Sequence, residues 1–328
     1  MRILAGVAVA IAFCTAAGLA RADCGRVSIA EMSWASAAIA ANVERIILEK
    51  GFGCRAELVP GDTVPTLTSM SERAEPDIAP ELWINAARDV IERGVRENRL
   101  KVAADIFSDG GEEGWYIPRY MVDKHPELTS LQAVLKRPDL FPDPEARGKG
   151  RFYTCPAGWA CQIVNDNLYR AYGLEAAGFT KFDPGSGEGL AAAIARAHER
   201  KLPIFTYYFG PTAVLGRYPM VRLGGMTHDP ASWECMAKPN CKDPKANMYP
   251  PAKVIGVATA KFAERAPDAF EFLKKVSWRN DAVNALLAWQ DEKRARADDA
   301  ALHFLKTRED VWGKWVSPEV AAKVKKGL

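Results

Sequence analysis

The chain reads as an α/β protein of two parallel-sheet units followed by a helical end. Three observations predict this. Strand-like and helix-like segments alternate from Arg26 to Glu97. A second alternation begins at Phe152, after a looser Pro-rich stretch over residues 138–150. From Phe262 onward only helical periodicity is left. A β-α-β-α-β order implies a parallel sheet with right-handed crossovers. A length of 328 residues fits about two domains.

The elements follow in order. Arg26–Met32 alternates like a strand, and Ser33 is placed to cap a helix from Trp34 to Lys50 that Gly51 stops. Cys54–Val59 is the next strand, Thr63–Arg73 a short helix, and Asp77–Ala79 a short strand running into Pro80-Glu81-Leu82-Trp83. Asn85–Glu97 is helical. The Gly/acid segment over 109–114 reads as a loop before Trp115-Tyr116-Ile117-Pro118. In the second unit Phe152–Cys155 is a strand, Ala160–Tyr172 a helix, Phe182 the end of a strand, Gly187–Arg200 a helix and Leu202–Tyr208 a buried strand. Val254–Ala258 is a further strand. Helices are predicted over Phe262–Val276, from Asn280 to about Phe304, and over Pro318–Lys326.

The first 22 residues have a basic start at Arg2, an apolar run from Ile3 to Phe13 and a small-x-small end at Ala20-Arg21-Ala22. This is the pattern of a secretory signal peptide cleaved before Asp23. The run is short for a spanning helix, which needs about 20 apolar residues. Export leaves six cysteines, an even count that suits an oxidising compartment. Six cysteines admit fifteen pairings. Proximity favours Cys155–Cys161 and Cys235–Cys241, two pairs with the same gap, and leaves Cys24–Cys54 across one strand–helix–strand unit. A zinc site is disfavoured, because paired C-x-x-C knuckles and a His cluster are missing. No metal and no cofactor are expected.

Lys+Arg (44) nearly balance Asp+Glu (41), which removes bulk attraction to nucleic acid. Catalysis finds little support. His125, His198, His228 and His303 fall at surface-like or turn positions, no G-x-S-x-G elbow is present, and the cysteines have prospective partners. The Gly185–Gly189 run lacks the Lys-Ser/Thr of a phosphate loop and reads as a strand-to-helix turn near a cleft. The Trp residues at 278, 289, 312 and 315 have helix-like spacing and read as packing between helices.

Ligands of open α/β sheets bind at the carboxyl ends of strands. The aromatics cluster there: Trp34, Trp83, Trp159, Tyr207, Tyr208 and Phe209. Any one of them is as readily a core residue. Several on two units, facing across a cleft, would form a box for a quaternary ammonium group, with each face contributing roughly 0.5–2 kcal/mol once desolvated. The Cys155–Cys161 segment turns from strand to helix and offers the backbone N–H groups of Ala160 and Cys161 to a carboxylate. Glu81 faces either the pocket or a helix; inside the pocket it would favour a hydroxyl-bearing or net cationic ligand such as choline over a betaine.

On these residues the chain resembles the substrate-binding proteins of ABC importers for glycine betaine, proline betaine and choline-type compounds. The resemblance rests on the C-x-x-G-W-x-C turn at Cys155–Cys161, on Leu82-Trp83, and on Phe205-Thr206-Tyr207-Tyr208-Phe209-Gly210-Pro211. It implies a two-lobed periplasmic binding protein fold, type II-like, whose parallel-sheet lobes are joined by two crossover strands near residues 114–117 and 253–257. Lobe 1 would then be 23–113 plus 254–328, and lobe 2 would be 114–253. It implies a disulfide-closed turn, cage residues at Trp83 and Trp159 and then in the Tyr208/Phe209 region, and hinge closure on the ligand. It also implies a periplasmic monomer that delivers its solute to an inner-membrane ABC permease and its ATPase subunits. Two departures stand out. Ala87 replaces a His that helps hold a carboxylate in some members, and Phe209, beside Tyr207 and Tyr208, stands where a third cage Trp is common. The alternatives are a choline/carnitine or polyamine receptor of the same fold, or an exported hydrolase on a two-lobe scaffold.

Overall fold

Two five-stranded sheets carry the fold of this computed structural model, which describes residues 24–328. The expected signal peptide and its cleavage site lie outside the described residues. The strands are β1 (Arg26–Met32), β2 (Arg55–Gly61), β3 (Ile78–Trp83), β4 (Leu100–Asp105), β5 (Glu112–Pro118), β6 (Gly150–Tyr153), β7 (Phe179–Phe182), β8 (Phe205–Gly210), β9 (Met220–Arg222) and β10 (Val254–Thr259). One sheet runs β2-β1-β3-β10-β4 and the other β7-β6-β8-β5-β9. The chain enters the second sheet between Asp105 and Glu112 and returns to the first between Arg222 and Val254.

The α/β class expected from the alternation is the class observed. Each sheet is mixed, however. β1, β2 and β3 are parallel, as are β6, β7 and β8, whereas β10 lies antiparallel to β3 and β4, and β5 antiparallel to β8 and β9. The antiparallel strands β5 and β10 are those by which the chain enters one sheet and returns to the other.

Local chemistry explains where the elements depart from expectation. The long helix over 262–276 is two, Ala260–Arg265 and Pro267–Leu273, because Pro267 lacks the N–H that would continue the ladder. The helix over 280–304 is likewise two, Asn280–Lys293 and Ala297–Thr307, parted at Arg294, whose φ of 49° is left-handed. The first helix spans Ala35–Ile47 and is capped at Trp34 rather than Ser33. β8 starts later and ends later than the pattern suggested, which carries Phe209 inside the strand.

Pro80 sits within β3 between β1 and β10. The β10 register shifts between Ile255 and Val257, so that Pro80 and Glu81 face Gly256. A side chain at Gly256 would come within 3.2 Å of Ile106 and 3.4 Å of the Pro80 carbonyl. This bulge seats a proline inside a sheet and puts Glu81 and Trp83 on one face, two residues apart.

The cysteines pair as Cys24–Cys54, Cys155–Cys161 and Cys235–Cys241. The first joins the amino ends of β1 and β2, with Cα atoms 4.8 Å apart. Replacing both members by Ser is expected to lower unfolding free energy by about 2–4 kcal/mol. The aromatics sit at the opposite strand ends, so the urea midpoint should fall while ligand affinity stays unchanged.

Candidate functional site

Between the two sheets lies a small cavity lined by Trp34, Trp83, Trp159 and Phe209. Each ring arrives from a strand end or helix start. Trp34 follows β1, Trp83 closes β3, Trp159 precedes the helix Ala160–Ala171, and Phe209 lies near the end of β8. The rings meet edge to face. Trp34 and Trp159 are 5.0 Å apart at 69°, Trp159 and Phe209 5.5 Å at 77°, and Phe209 and Trp83 5.2 Å at 76°. Steep angles between successive neighbours turn the four rings into walls of a box rather than a stack.

Two of these indoles are fixed by one carboxylate. Trp34 Nε1 and Trp83 Nε1 donate to Glu81 Oε1 at 2.6 and 2.9 Å, and Ser36 Oγ adds a third bond at 2.9 Å. Trp159 is fixed from the other sheet's side of the cavity. Its Nε1 donates to Ser33 Oγ at 2.9 Å, and Ser33 Oγ donates to Asp62 Oδ1 at 2.5 Å. Beside it, Val64 N–H donates to the Gly158 carbonyl at 3.1 Å. These contacts tie the Trp159 turn to the segments after β1 and β2, so the two halves are closed on each other. An exposed ion pair, Arg217–Asp291, spans the same divide. A Cβ at Gly187 would fall 2.7 Å from the Ser33 carbonyl and 2.8 Å from Trp159, which gives the glycine-rich segment its role.

The rest of the lining is largely polar. It comprises Thr63, Asn85, Glu113, Tyr207 and Tyr249, with Ala160 and Cys161 at the first turn of their helix. Glu113 is buried and receives one donor on each oxygen, Tyr207 OH at 2.7 Å and Asn85 Nδ2 at 2.6 Å. Burial raises its pKa to about 7; the donors and the nearby Arg222 guanidinium pull the other way. Tyr249 OH donates to Asn165 Oδ1 at 3.0 Å and approaches the Cys161 carbonyl at 3.2 Å. Trp159, at the cap position, gives no side-chain bond to the helix start, and Ala160 and Cys161 of that first turn line the cavity. The site thus offers a π-walled end and an end with one ionisable carboxyl.

Of the residues singled out from sequence, Trp34, Trp83, Trp159, Tyr207, Phe209, Ala160 and Cys161 line this cavity. Tyr208 does not. Alternation along β8 turns it to the neighbouring cleft, which it lines with Gly187 and Thr212. Glu81 does not line it either; it stands behind Trp34 and Trp83. Glu113, Asn85, Thr63 and Tyr249 were not anticipated. Glu113 sits in what reads from sequence as a Gly/acid loop but is the second residue of β5, where its parity with Trp115 and Ile117 is a buried-face signal.

The family described as the substrate binding domain of ABC-type glycine betaine transport systems matches residues 25–307. The fold is similar to that of the glycine betaine/L-proline-binding protein (ProX) from Borrelia burgdorferi, with a TM-score of 0.73, 18% identity, and coverage of 91% of this chain and 99% of that one. It is similar to an ABC-transporter choline binding protein in complex with choline, with a TM-score of 0.73, 16% identity and coverage of 93% and 98%. Lactococcal OpuAC, closed on glycine betaine, has a TM-score of 0.66 at 14% identity, with coverage of 89% and 100%.

Proposed function

The chain belongs to the family of substrate-binding domains of ABC-type glycine betaine transport systems, and we propose that it is a receptor that takes a quaternary-ammonium solute into the four-ring cavity. The observation that carries this is the box of Trp34, Trp83, Trp159 and Phe209, contributed by both halves of the molecule. A methylated onium group cannot donate hydrogen bonds and is held by ring faces. Three or four faces supply several kcal/mol toward the roughly 8 kcal/mol of a micromolar complex, and exclusion of water and the polar wall supply the rest.

The polar wall supports a narrower reading. Glu113 already accepts on both oxygens and carries charge above about pH 7, where it opposes a ligand carboxylate. A cation with a hydroxyl, such as choline, meets a carboxylate acceptor and a tyrosine there. A betaine meets a like charge, and Ala87 offers no side-chain help. The choline binding protein of similar fold accords with this reading.

The remaining parts of the proposal are a receptor of the extracytoplasmic face, exported to the periplasm by the leader segment, acting as a monomer with an inner-membrane permease and its ATPase subunits. The two bodies that open and close are those read from sequence as 23–113 plus 254–328 and 114–253, with Glu112 and Glu113 of β5 moving with the second. Among the described residues no helix is long and apolar enough to cross a membrane.

Calorimetry with choline, carnitine, glycine betaine and proline betaine at pH 8 tests the reading. Choline is expected to bind at micromolar Kd or tighter, with glycine betaine at least about tenfold weaker. Binding of none of the four would remove the onium reading. Tighter binding of glycine betaine would remove the choline preference alone.

A further inference from the structure

We propose that Glu81 is the buried counter-charge of the ring cage: a positioning residue that fixes two indoles through one oxygen and sets negative charge directly behind them, so that the site prefers a cation to a neutral molecule of the same shape. The proposal rests on the reading of the cavity as an onium site.

The clamp is complete on one atom. Oε1 takes all three donors, from Trp34, Trp83 and Ser36. Oε2 is buried and has no hydrogen-bond partner among the described residues. It belongs to a side chain that lines a second, very small cavity with Ile39, Phe107, Trp278, Val283 and Leu287. The helix Asn280–Lys293 presents only apolar side chains to that cavity, Val283, Leu286 and Leu287. Among the described residues no Lys, Arg or His forms an ion pair with Glu81, which is wholly buried.

A glutamine would hold the same two indoles, since its amide oxygen accepts where Oε1 does. The clamp therefore does not require a charge, and a buried unpaired carboxylate is costly. Burial pushes the Glu81 carboxyl up, while its three donors pull it back toward the ionised form. No positive side chain takes part in that balance. The positive charge that reaches this environment is the one that enters the cage. An indole N–H that donates to a carboxylate also gains electron density over its ring, which deepens the attraction of both faces for a cation. Glu113 lines the cavity itself, so the onium group would lie between two buried carboxyls: Glu113, which also meets the ligand's polar end, and Glu81, which acts only through the rings in front of it.

The test compares choline with its neutral isostere 3,3-dimethylbutan-1-ol on wild type, Glu81→Gln and Glu81→Leu. Glu81→Gln keeps the clamp and removes the charge. It is expected to weaken choline about tenfold and to leave the isostere unchanged. Glu81→Leu also releases the indoles, so both probes should weaken and Trp emission should shift. Trp34→Phe keeps a ring but loses one donor to Glu81, and it should weaken choline more than the isostere even if neither Glu81 variant folds. A Glu81→Gln protein, or failing that a Trp34→Phe protein, with an unchanged choline-to-isostere ratio would overturn the proposal. A wild-type protein that bound no onium probe would instead remove the functional reading beneath it.

Discussion

Glu113→Gln is expected to lose choline affinity by roughly tenfold or more at pH 8 and to gain affinity for glycine betaine. The amide preserves the pairing with Tyr207 and Asn85 in shape and abolishes the charge. Wild type should show opposite pH profiles for the two solutes. In the free protein Glu113 titrates at about 7 because burial raises it. A bound cation favours the ionised form, so below pH 7 choline must expel a proton to bind. Its affinity should fall by up to about tenfold per pH unit there and level off above. Glycine betaine needs the neutral form, and its affinity should fall as pH rises through the same window. Around Glu113, burial pushes Tyr207, Tyr249 and Tyr116 to higher pKa, away from this window. Behind the rings, Glu81 is another carboxyl that burial raises, and the Glu113→Gln variant separates its contribution. Glu113→Gln should flatten both profiles. Parallel profiles for the two solutes in wild type, or a choline profile unchanged in the variant, would remove Glu113 from the recognition of charge. The same shift has a consequence for the ligand-free fold. A carboxyl raised from 4.5 to about 7 contributes stability in its neutral form, present below the unfolded value and lost as pH climbs through 7.

How far the site was legible turns on what kind of signal each residue gives. Trp83 and Trp159 announce themselves because a strand end and a strand-to-helix turn are local patterns with a known place in an open sheet. Phe209 against Tyr208 is a question of parity. With β8 ended at Tyr208 the choice stays open, and with the strand carried to Gly210 a period of two puts Tyr207 and Phe209 on one face and Tyr208 on the other. That signal was in the sequence, and only the boundary hid it. Glu113 and Tyr249 differ in kind. A pair of acids between glycines and a tyrosine before two prolines are ordinary surface composition. What buries them is the packing of β5, β8 and the 249–252 segment around one another, which no local pattern encodes. Glu81 shows a third case. Its neighbours predicted a strand, but its side chain is read correctly only once the Pro80 bulge sets which way β3 turns. The purely parallel sheets failed for a topological reason: β5 and β10, the strands that follow the passages between the sheets, run against their neighbours, and strand pattern alone carries no direction.

Trp159→Ala should raise the choline Kd by about a hundredfold or more, the largest effect expected of a single truncation here. Three separate contributions end together. The ring is the one wall that touches both Trp34 and Phe209, at 5.0 and 5.5 Å, so its loss opens two edges of the box. Each lost cation–π face is worth roughly 0.5–2 kcal/mol, and the remaining rings are re-exposed to water. Its Nε1 bond to Ser33, backed by Asp62, is also a polar side-chain contact at the cage that crosses between the halves. The Arg217–Asp291 and Lys238–Asp89 pairs that cross farther out are exposed on both sides and screened by solvent, too weak to hold closure alone. Trp159→Phe separates the two roles. It keeps a ring and loses the N–H, so equilibrium affinity should fall only several-fold, while the dissociation rate rises by nearly the whole of that factor because the closed state loses its tie. Stopped-flow Trp fluorescence resolves this, with Trp34 and Trp83 left as reporters. Ser33→Ala should reproduce the kinetic change without touching any ring. A Trp159→Ala protein with native far-UV dichroism and wild-type choline affinity would mean that the box does not hold the ligand. A Ser33→Ala protein with unaltered dissociation would mean that closure is held elsewhere.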